Sequence, residues 1–221
     1  MKVTKFLSQN QIFSLLEDDD LHRIEGGALI RQFKSGEWIV HHGDIWPYMF
    51  VVHKGVVTAI MESLEGRSLT LTTIGEGELF WGLAFFIENA TMPAALKASE
   101  DCELFLWSRE DLLPLIMENG KLSWELACLA IQRVQFASEI VEKLAFQPLT
   151  GRVARLLLEQ FPADQTIAPR HLTLDEMAAR VGTTREMVCR ILYRFAEQGA
   201  IQIHRTEFIF TDRSILEDHA H

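Results

Sequence analysis

The chain has 221 residues, 48% of them hydrophobic and 24% charged, with a formal net charge of −10, the composition of a soluble globular protein long enough for one large domain or two small ones. No apolar run reaches the roughly 18 residues of a membrane span, and the opening MKVTKFLSQNQIFSLLEDDD lacks the apolar core and cleavage site of a secretion signal, so a cytoplasmic location away from membranes is expected. Three scattered cysteines, Cys102, Cys128 and Cys189, exclude a disulfide framework and fit a reducing compartment.

Residues 1–149 carry 12 Lys/Arg against 21 Asp/Glu, a net of −9, whereas residues 150–221 carry 9 against 10, a net of −1. The acidity therefore belongs to the first two-thirds, and only the last third is balanced enough to approach a polyanion. The acidic run Glu17-Asp18-Asp19-Asp20 reads as a solvated helix end rather than a carboxylate site. From about Ile30 to Trp107 short strands alternate with glycine turns: GEWIVHHGD, YMFVVHKGVVTAIMES, SLTLTTIGEGEL and CELFLWS are rich in β-branched and aromatic residues. Strands at this spacing predict a β-sandwich or roll.

Inside that region GEGELFWGLAFFIENATMPAALKA concentrates Phe80, Trp81, Phe85 and Phe86, with no cation before Lys97. Two outcomes stand level here: an open apolar pocket, or aromatic side chains that fill their own cavity.

After Arg109 the period changes. Trp124, Ala127, Ile131, Val134, Ser138, Val141 and Ala145 recur at alternating steps of three and four, a coiled-coil seam. A second row, Leu122, Leu126, Leu129, Phe136, Ile140 and Leu144, lies on another face. A helix apolar on two faces has two surfaces to bury, most economically against its own β domain and a partner helix, the alternative being a single buried helix in a monomer. Pro148 in AFQPLTG ends it and marks a joint.

LTLDEMAARVGTTREMVCRILYRFAEQGAIQIHRTEFIFTD is the most specific stretch. Thr173-x-x-Glu176 is a capping box opening a helix to Arg180, Gly182 ends it, and Thr184 caps a second helix from Arg185 to about Gln198. IQIH and EFIF then form a hairpin across Arg205 and Thr206. Helix, tight turn, helix and hairpin predict a winged helix-turn-helix. On the second helix Arg185 and Arg190 can fork onto guanine, and Glu186 can accept from cytosine N4.

With these motifs the chain resembles the cyclic-AMP receptor protein/FNR family of bacterial transcription regulators, most densely in SEIVEKLAFQPLTGRVARLLL and VGTTREMVCRIL, and more loosely in IVHHGDIWPYMFVVHKGVV. The resemblance implies an α+β fold: an antiparallel, cyclic-nucleotide-binding-like β-roll over 1–108, a dimerisation helix over 109–146, and a winged helix-turn-helix over 147–221. It implies a homodimer on double-stranded DNA, with RNA polymerase as a further partner. Arg185, Glu186 and Arg190 match the family residues that read a TGTGA half-site; Thr173, Thr184 and the wing residue His204 match phosphate contacts. Leu174 and Asp175 stand where a basic or amide residue often follows the first cap.

The same resemblance makes the aromatic stretch a phosphate-binding cassette, with Phe80, Trp81, Gly82, Leu83, Met92, Pro93 and Ser138 as effector-pocket candidates. Trp81-Gly82 replaces the Gly-Glu pair that fixes ribose, Met92-Pro93 replaces the Arg-Ser pair that holds phosphate, and Ala137 replaces a hydroxyl residue near adenine. A buried phosphate without a cation costs several kcal/mol, so cyclic AMP is not the expected ligand. An intrachain iron–sulfur cluster is excluded because it needs four thiolates; haem lacks a histidine in the cassette, and His41, His42 and His53 read as strand-end surface residues. No metal site or catalytic set is expected, only a non-nucleotide small molecule or no effector at all. A cyclic-nucleotide-binding signalling module is the alternative, disfavoured by the complete Arg-Glu-x-x-x-Arg helix and its wing.

Overall fold

The computed structural model describes residues 2–63, 67–160 and 167–220. The chain forms two compact units, Met1–Met61 with Leu71–Phe136, and Glu62–Thr70 with Ala137–His221.

The first unit begins with helical elements, of which the sequence announced only the last, through its acidic end. Helix α1 (Lys2–Leu7), a 3₁₀ turn at Phe13–Leu15 and α2 (Asp18–Gly27) precede the first strand. Asp18, Asp19 and Asp20 occupy the first turn of α2, where carboxylates complement the helix dipole. Asn10, buried in the turn after α1, donates from Nδ2 to Gly77 O at 2.7 Å and accepts the Ile12 N–H. This pins the N-terminal segment to the β domain without leaving a buried amide unsatisfied.

The strands are β1 (Leu29–Phe33), β2 (Trp38–Val40), β3 (Tyr48–Lys54), β4 (Val57–Glu62), β5 (Ser68–Ile74), β6 (Leu79–Trp81), β7 (Ala95–Ala98) and β8 (Cys102–Ser108), with a one-turn helix α3 (Leu83–Phe86) after β6. They build two four-stranded sheets, ordered β1-β8-β3-β6 and β2-β7-β4-β5. Strand β3 shows why the layers hold. Met49, Phe50, Val51 and Val52 are all fully buried, and their alternation feeds two cores. Met49 and Val51 join Leu7, Phe13, Phe105 and Trp107, whereas Phe50 and Val52 join Val57, Leu96 and Leu104. The buried Trp107 indole donates to Ile24 O at 2.8 Å, locking α2 onto the sheet.

The helical stretch expected over 109–146 is two helices, α4 (Arg109–Glu118) and α5 (Gly120–Phe146). Asn119 is extended, at φ −108° and ψ 100°, and its Oδ1 accepts the Leu122 N–H. An asparagine side chain competes well for backbone donors at such a position, so it ends one helix and caps the next. Of the second apolar row on α5 only the first two turns are deeply buried, at Leu122 and Leu126; Phe136 and Leu144 are exposed.

In the second unit, α6 (Leu149–Gln160), β9 (Ile167–Pro169), α7 (Leu174–Val181), α8 (Arg185–Glu197), β10 (Ile201–Ile203), β11 (Glu207–Phe210) and α9 (Arg213–Ala220) surround a core that includes Val153, Leu157, Met177, Val188, Ile191, Phe195, Phe208 and Leu216. Strands β10 and β11 form the expected hairpin; β9 adds a third strand beside β11. The antiparallel sheets, long helix and C-terminal helix-turn-helix are the α+β architecture that the sequence predicts.

Candidate nucleic-acid interface and effector site

Local chemistry sets the geometry of the two helices. Thr173 Oγ1 accepts the Glu176 N–H at 3.2 Å while Glu176 Oε2 accepts the Thr173 N–H at 2.7 Å, the reciprocal cap expected of Thr-x-x-Glu. Gly182 ends α7 at φ 68° and ψ 50°, a left-handed turn that a side chain would strain. Thr184 Oγ1 accepts the Met187 N–H at 3.4 Å and so starts α8. On α8, Val188, Ile191, Leu192 and Phe195 are buried, and Arg185, Glu186, Arg190, Tyr193 and Arg194 are exposed. The three residues with base-reading chemistry are thus held outward on a helix whose other face is core. His204 is exposed at the start of the hairpin tip, and Thr173 is exposed at the α7 cap.

Two electrostatic details modify the sequence-based picture. Asp175 reaches Arg185, with Oδ2 3.6 Å from Nη1, and both side chains are largely exposed. Such a pair is worth little in water, but it holds a carboxylate beside one of the three candidate base-reading residues. Glu186 has its pKa lowered, chiefly by its own backbone N–H, then by the Thr184 hydroxyl and the Arg185 charge. It remains an acceptor-only carboxylate.

In the first unit the aromatic stretch is tightly packed around Gly82. A Cβ built there would lie 2.0 Å from Trp46 O and 3.3 Å from Met92 Sδ. Met92 is buried, with its N–H donating to Asp44 O at 2.8 Å and its carbonyl accepting the Gly43 N–H. Trp46, Phe50 and Phe80 continue the cluster at centroid separations of 5.6 and 5.9 Å. Of the pocket candidates, Gly82 and Met92 are buried against each other, Phe80 and Trp81 are half-buried neighbours, and Leu83 and Pro93 are exposed. Ser138 is exposed on α5 and belongs to the second unit.

The cation absent from the cassette's own sequence comes from α5. The Arg133 guanidinium lies 4.5 Å from the Phe80 centroid and 5.0 Å from that of Trp81, and Nη2 donates to Leu79 O at 2.5 Å. Its Nε is buried without a hydrogen-bond partner, and burial pushes its pKa down, with the Glu78 charge opposing. Among the described residues it has no ion pair. A desolvated cation without a counter-ion is costly, and cation–π contact offsets part of that. Arg133 escaped the sequence reading although it continues the inward row Leu122, Leu126, Leu129 at the same spacing.

The histidines divide. His41 and His42 are exposed, as expected of strand ends. His53 is not a surface residue: its ring stacks on Phe105 at 4.6 Å and meets Phe6 edge-on at 4.8 Å, with Nε2 3.6 Å from Glu103 Oε1. Helix α1 brings Phe6 over this end of β3, and that contact covers the ring. Cys102 is buried and its thiol pKa is raised by that burial; Cys128 and Cys189 are half-buried. Among the described residues no three His, Cys, Asp or Glu side chains gather as a metal site, and no helix is long and apolar enough to cross a membrane.

On α5 the seam residues face outward. Trp124 is 69% exposed, Ile131 61%, Val134 66% and Val141 65%, and Ala127 and Ser138 are exposed too. An apolar stripe of this length exposed on one helix is a candidate association surface.

Comparison with known proteins adds independent findings. The profile of the cyclic nucleotide-binding domain matches residues 30–119, and that of the Crp-like helix-turn-helix domain matches residues 151–219. The cyclic AMP receptor protein of Thermus thermophilus is 32% identical over 192 residues, spanning 85% of this chain and 86% of that protein. The cAMP-activated global transcriptional regulator CRP of Escherichia coli O6:H1 is 30% identical over 182 residues, 79% of this chain and 86% of the relative. A transcriptional regulator of the crp/fnr family from Eubacterium rectale has a similar fold, with a TM-score of 0.79 at 20% identity over 95% of this chain and 97% of that one.

Proposed function

The chain belongs to the Crp/Fnr family of DNA-binding transcription regulators, and from that premise we propose that it acts in the cytoplasm as a homodimer reading an inverted repeat close to TGTGA–N6–TCACA. The observation that carries this reading is the outward face of α8, where Arg185, Glu186 and Arg190 are exposed on a helix fixed by the Thr184 cap and the Gly182 turn. Arginine forks match guanine O6 and N7, and a glutamate matches cytosine N4. Dimerisation through the exposed α5 seam would set two such helices about one helical turn, roughly 34 Å, apart. Thr173, Thr184 and His204 serve as phosphate contacts. The protein acts by binding, with RNA polymerase as its downstream partner, rather than by catalysis. Selection from random duplexes tests the specificity, and recovered half-sites without a TGTGA-like core would overturn it.

The relatives named as cyclic-AMP receptors favour a nucleotide effector, but the cassette favours another ligand. No side chain fits at Gly82 without moving the Trp46 backbone, and Met92 occupies the adjacent space. The cation present, Arg133, sits over two aromatic rings, which suits a small organic anion with a flat apolar body. Saturation with a ligand stabilises a native state by about 2.7 kcal/mol at one hundred times Kd, worth about 5–10 °C in a chain of this size. Millimolar cyclic AMP is therefore expected to leave Tm unchanged, and a shift of several degrees would make this a cyclic-AMP-responsive regulator.

A further inference from the structure

Arg170 lies between β9 and α7, outside every contact considered so far. Its backbone N–H donates to Thr206 O at 2.8 Å and its Nη1 donates to His204 O at 3.2 Å. The guanidinium also lies over the ring of Phe208, 5.0 Å from the centroid, and Phe208 is a buried core residue. The His204 N–H closes the hairpin by donating to Glu207 O at 2.9 Å. The carbonyls on either side of Arg205 are thus both held by one arginine that is itself anchored on the core. Arg205, at the tip between them, is exposed and makes no hydrogen bond or ion pair among the described residues.

We infer that Arg170 is a positioning residue for the wing, fixing the hairpin tip so that Arg205 presents its guanidinium to a backbone phosphate beside the half-site. This rests on the wing facing DNA, but not on the half-site sequence. Ordering a hairpin tip at the moment of binding costs conformational entropy; a tip already held by two carbonyl bonds avoids most of that cost. A guanidinium placed on phosphate displaces a condensed counterion, so its contribution is read directly from salt dependence. In a chain of net charge −10, an unpaired cation on a held tip is worth more to polyanion binding than its share of the charge suggests.

The test uses the full-length protein on two duplexes, one carrying the inverted repeat and one a scramble of equal length, titrated between about 50 and 200 mM salt. Arg205→Ala is expected to lower the slope of log K against log salt by about 0.9 per bound protomer on both duplexes, and Arg205→Lys to retain it. Arg170→Met keeps an apolar stem on Phe208 but removes the side-chain donor. It is expected to weaken binding about 3–10-fold with Arg205 present, and to add nothing to Arg205→Ala. Arg170→Lys, which keeps a donor, should recover part of the loss, and unchanged thermal unfolding excludes a folding effect. A wild-type slope in Arg205→Ala would overturn the inference, as would an Arg170→Met loss of equal size with and without Arg205. A loss confined to one flanking sequence would assign Arg205 to groove readout and overturn the phosphate contact. If only the scrambled duplex is bound and shows these effects, the half-site assignment fails while the wing inference stands.

Discussion

Replacing Ile131 by aspartate probes the middle of the proposed seam. Ile131 is 61% exposed in the isolated chain, so the substitution forfeits only the covered two-fifths of the side chain and the protomer should still fold, with stability lowered by about 1 kcal/mol. A fully buried isoleucine contributes about 1.5–3 kcal/mol. With three-fifths of the side chain still to be covered, each copy contributes about 1–2 kcal/mol on association, or about 2–4 kcal/mol for both helices. The introduced carboxylates would face each other across the seam, at a further cost of several kcal/mol. A combined penalty above about 5 kcal/mol raises the dimer Kd by more than a thousandfold, enough to turn a nanomolar dimer into a micromolar monomer. Sedimentation equilibrium should then show a dimer for the wild type and a monomer for Ile131→Asp, with full-site affinity falling to that of one half-site. A wild-type monomer that binds the full site, or a variant that remains dimeric, would refute the seam.

Arg190→Ala is expected to cost about 1–3 kcal/mol in DNA binding and to relax one base position of each half-site, measured by anisotropy against single-base variants. Asp175→Asn frees Arg185 and removes a carboxylate from beside it; binding should tighten by up to about fivefold on any sequence, since an exposed pair is worth up to about 1 kcal/mol. Weaker binding would show that Asp175 orients Arg185 rather than restrains it. Cys102, buried and with its thiol pushed to a higher pKa, should stay unlabelled when the native protein is treated with a thiol reagent at mildly alkaline pH and react only after unfolding.

The winged unit was legible because its instructions are local. Thr173, Glu176, Gly182 and Thr184 each act on backbone groups two to four residues away, so their spacing alone fixes where α7 stops and α8 starts. The outward apolar row of α5 was legible for the same reason, being a repeat along one helix. The Asn119 break lay hidden because apolar rows continue on both sides of it, although Asn119-Gly120 is itself a turn signal. Helix α1 is short, and what holds it is distant: Leu7 is buried with Phe105 and Trp107, a pairing that no periodicity records. The cation at the cassette was illegible in the cassette for the same reason. Arg133 meets Phe80 from 53 positions away, and only the continuation of the inward row on α5 hints that a charge is carried inside. Arg170 likewise gained its meaning from a hairpin more than 30 residues downstream.

The close approach at Gly82 bears on how this effector domain could be re-engineered. Introducing Glu at position 82 and Arg-Ser at 92–93 would look, on paper, like a three-residue graft of nucleotide recognition. The first of those changes places a carbon against the Trp46 carbonyl, so the segment around Ile45 would have to be rebuilt before either remaining change could contribute. The step at Gly82 is therefore destabilising without yet providing any binding. Conversion to a nucleotide site is thus limited by backbone geometry as well as by side-chain identity, and redesign at position 82 has to begin with the main chain that passes it.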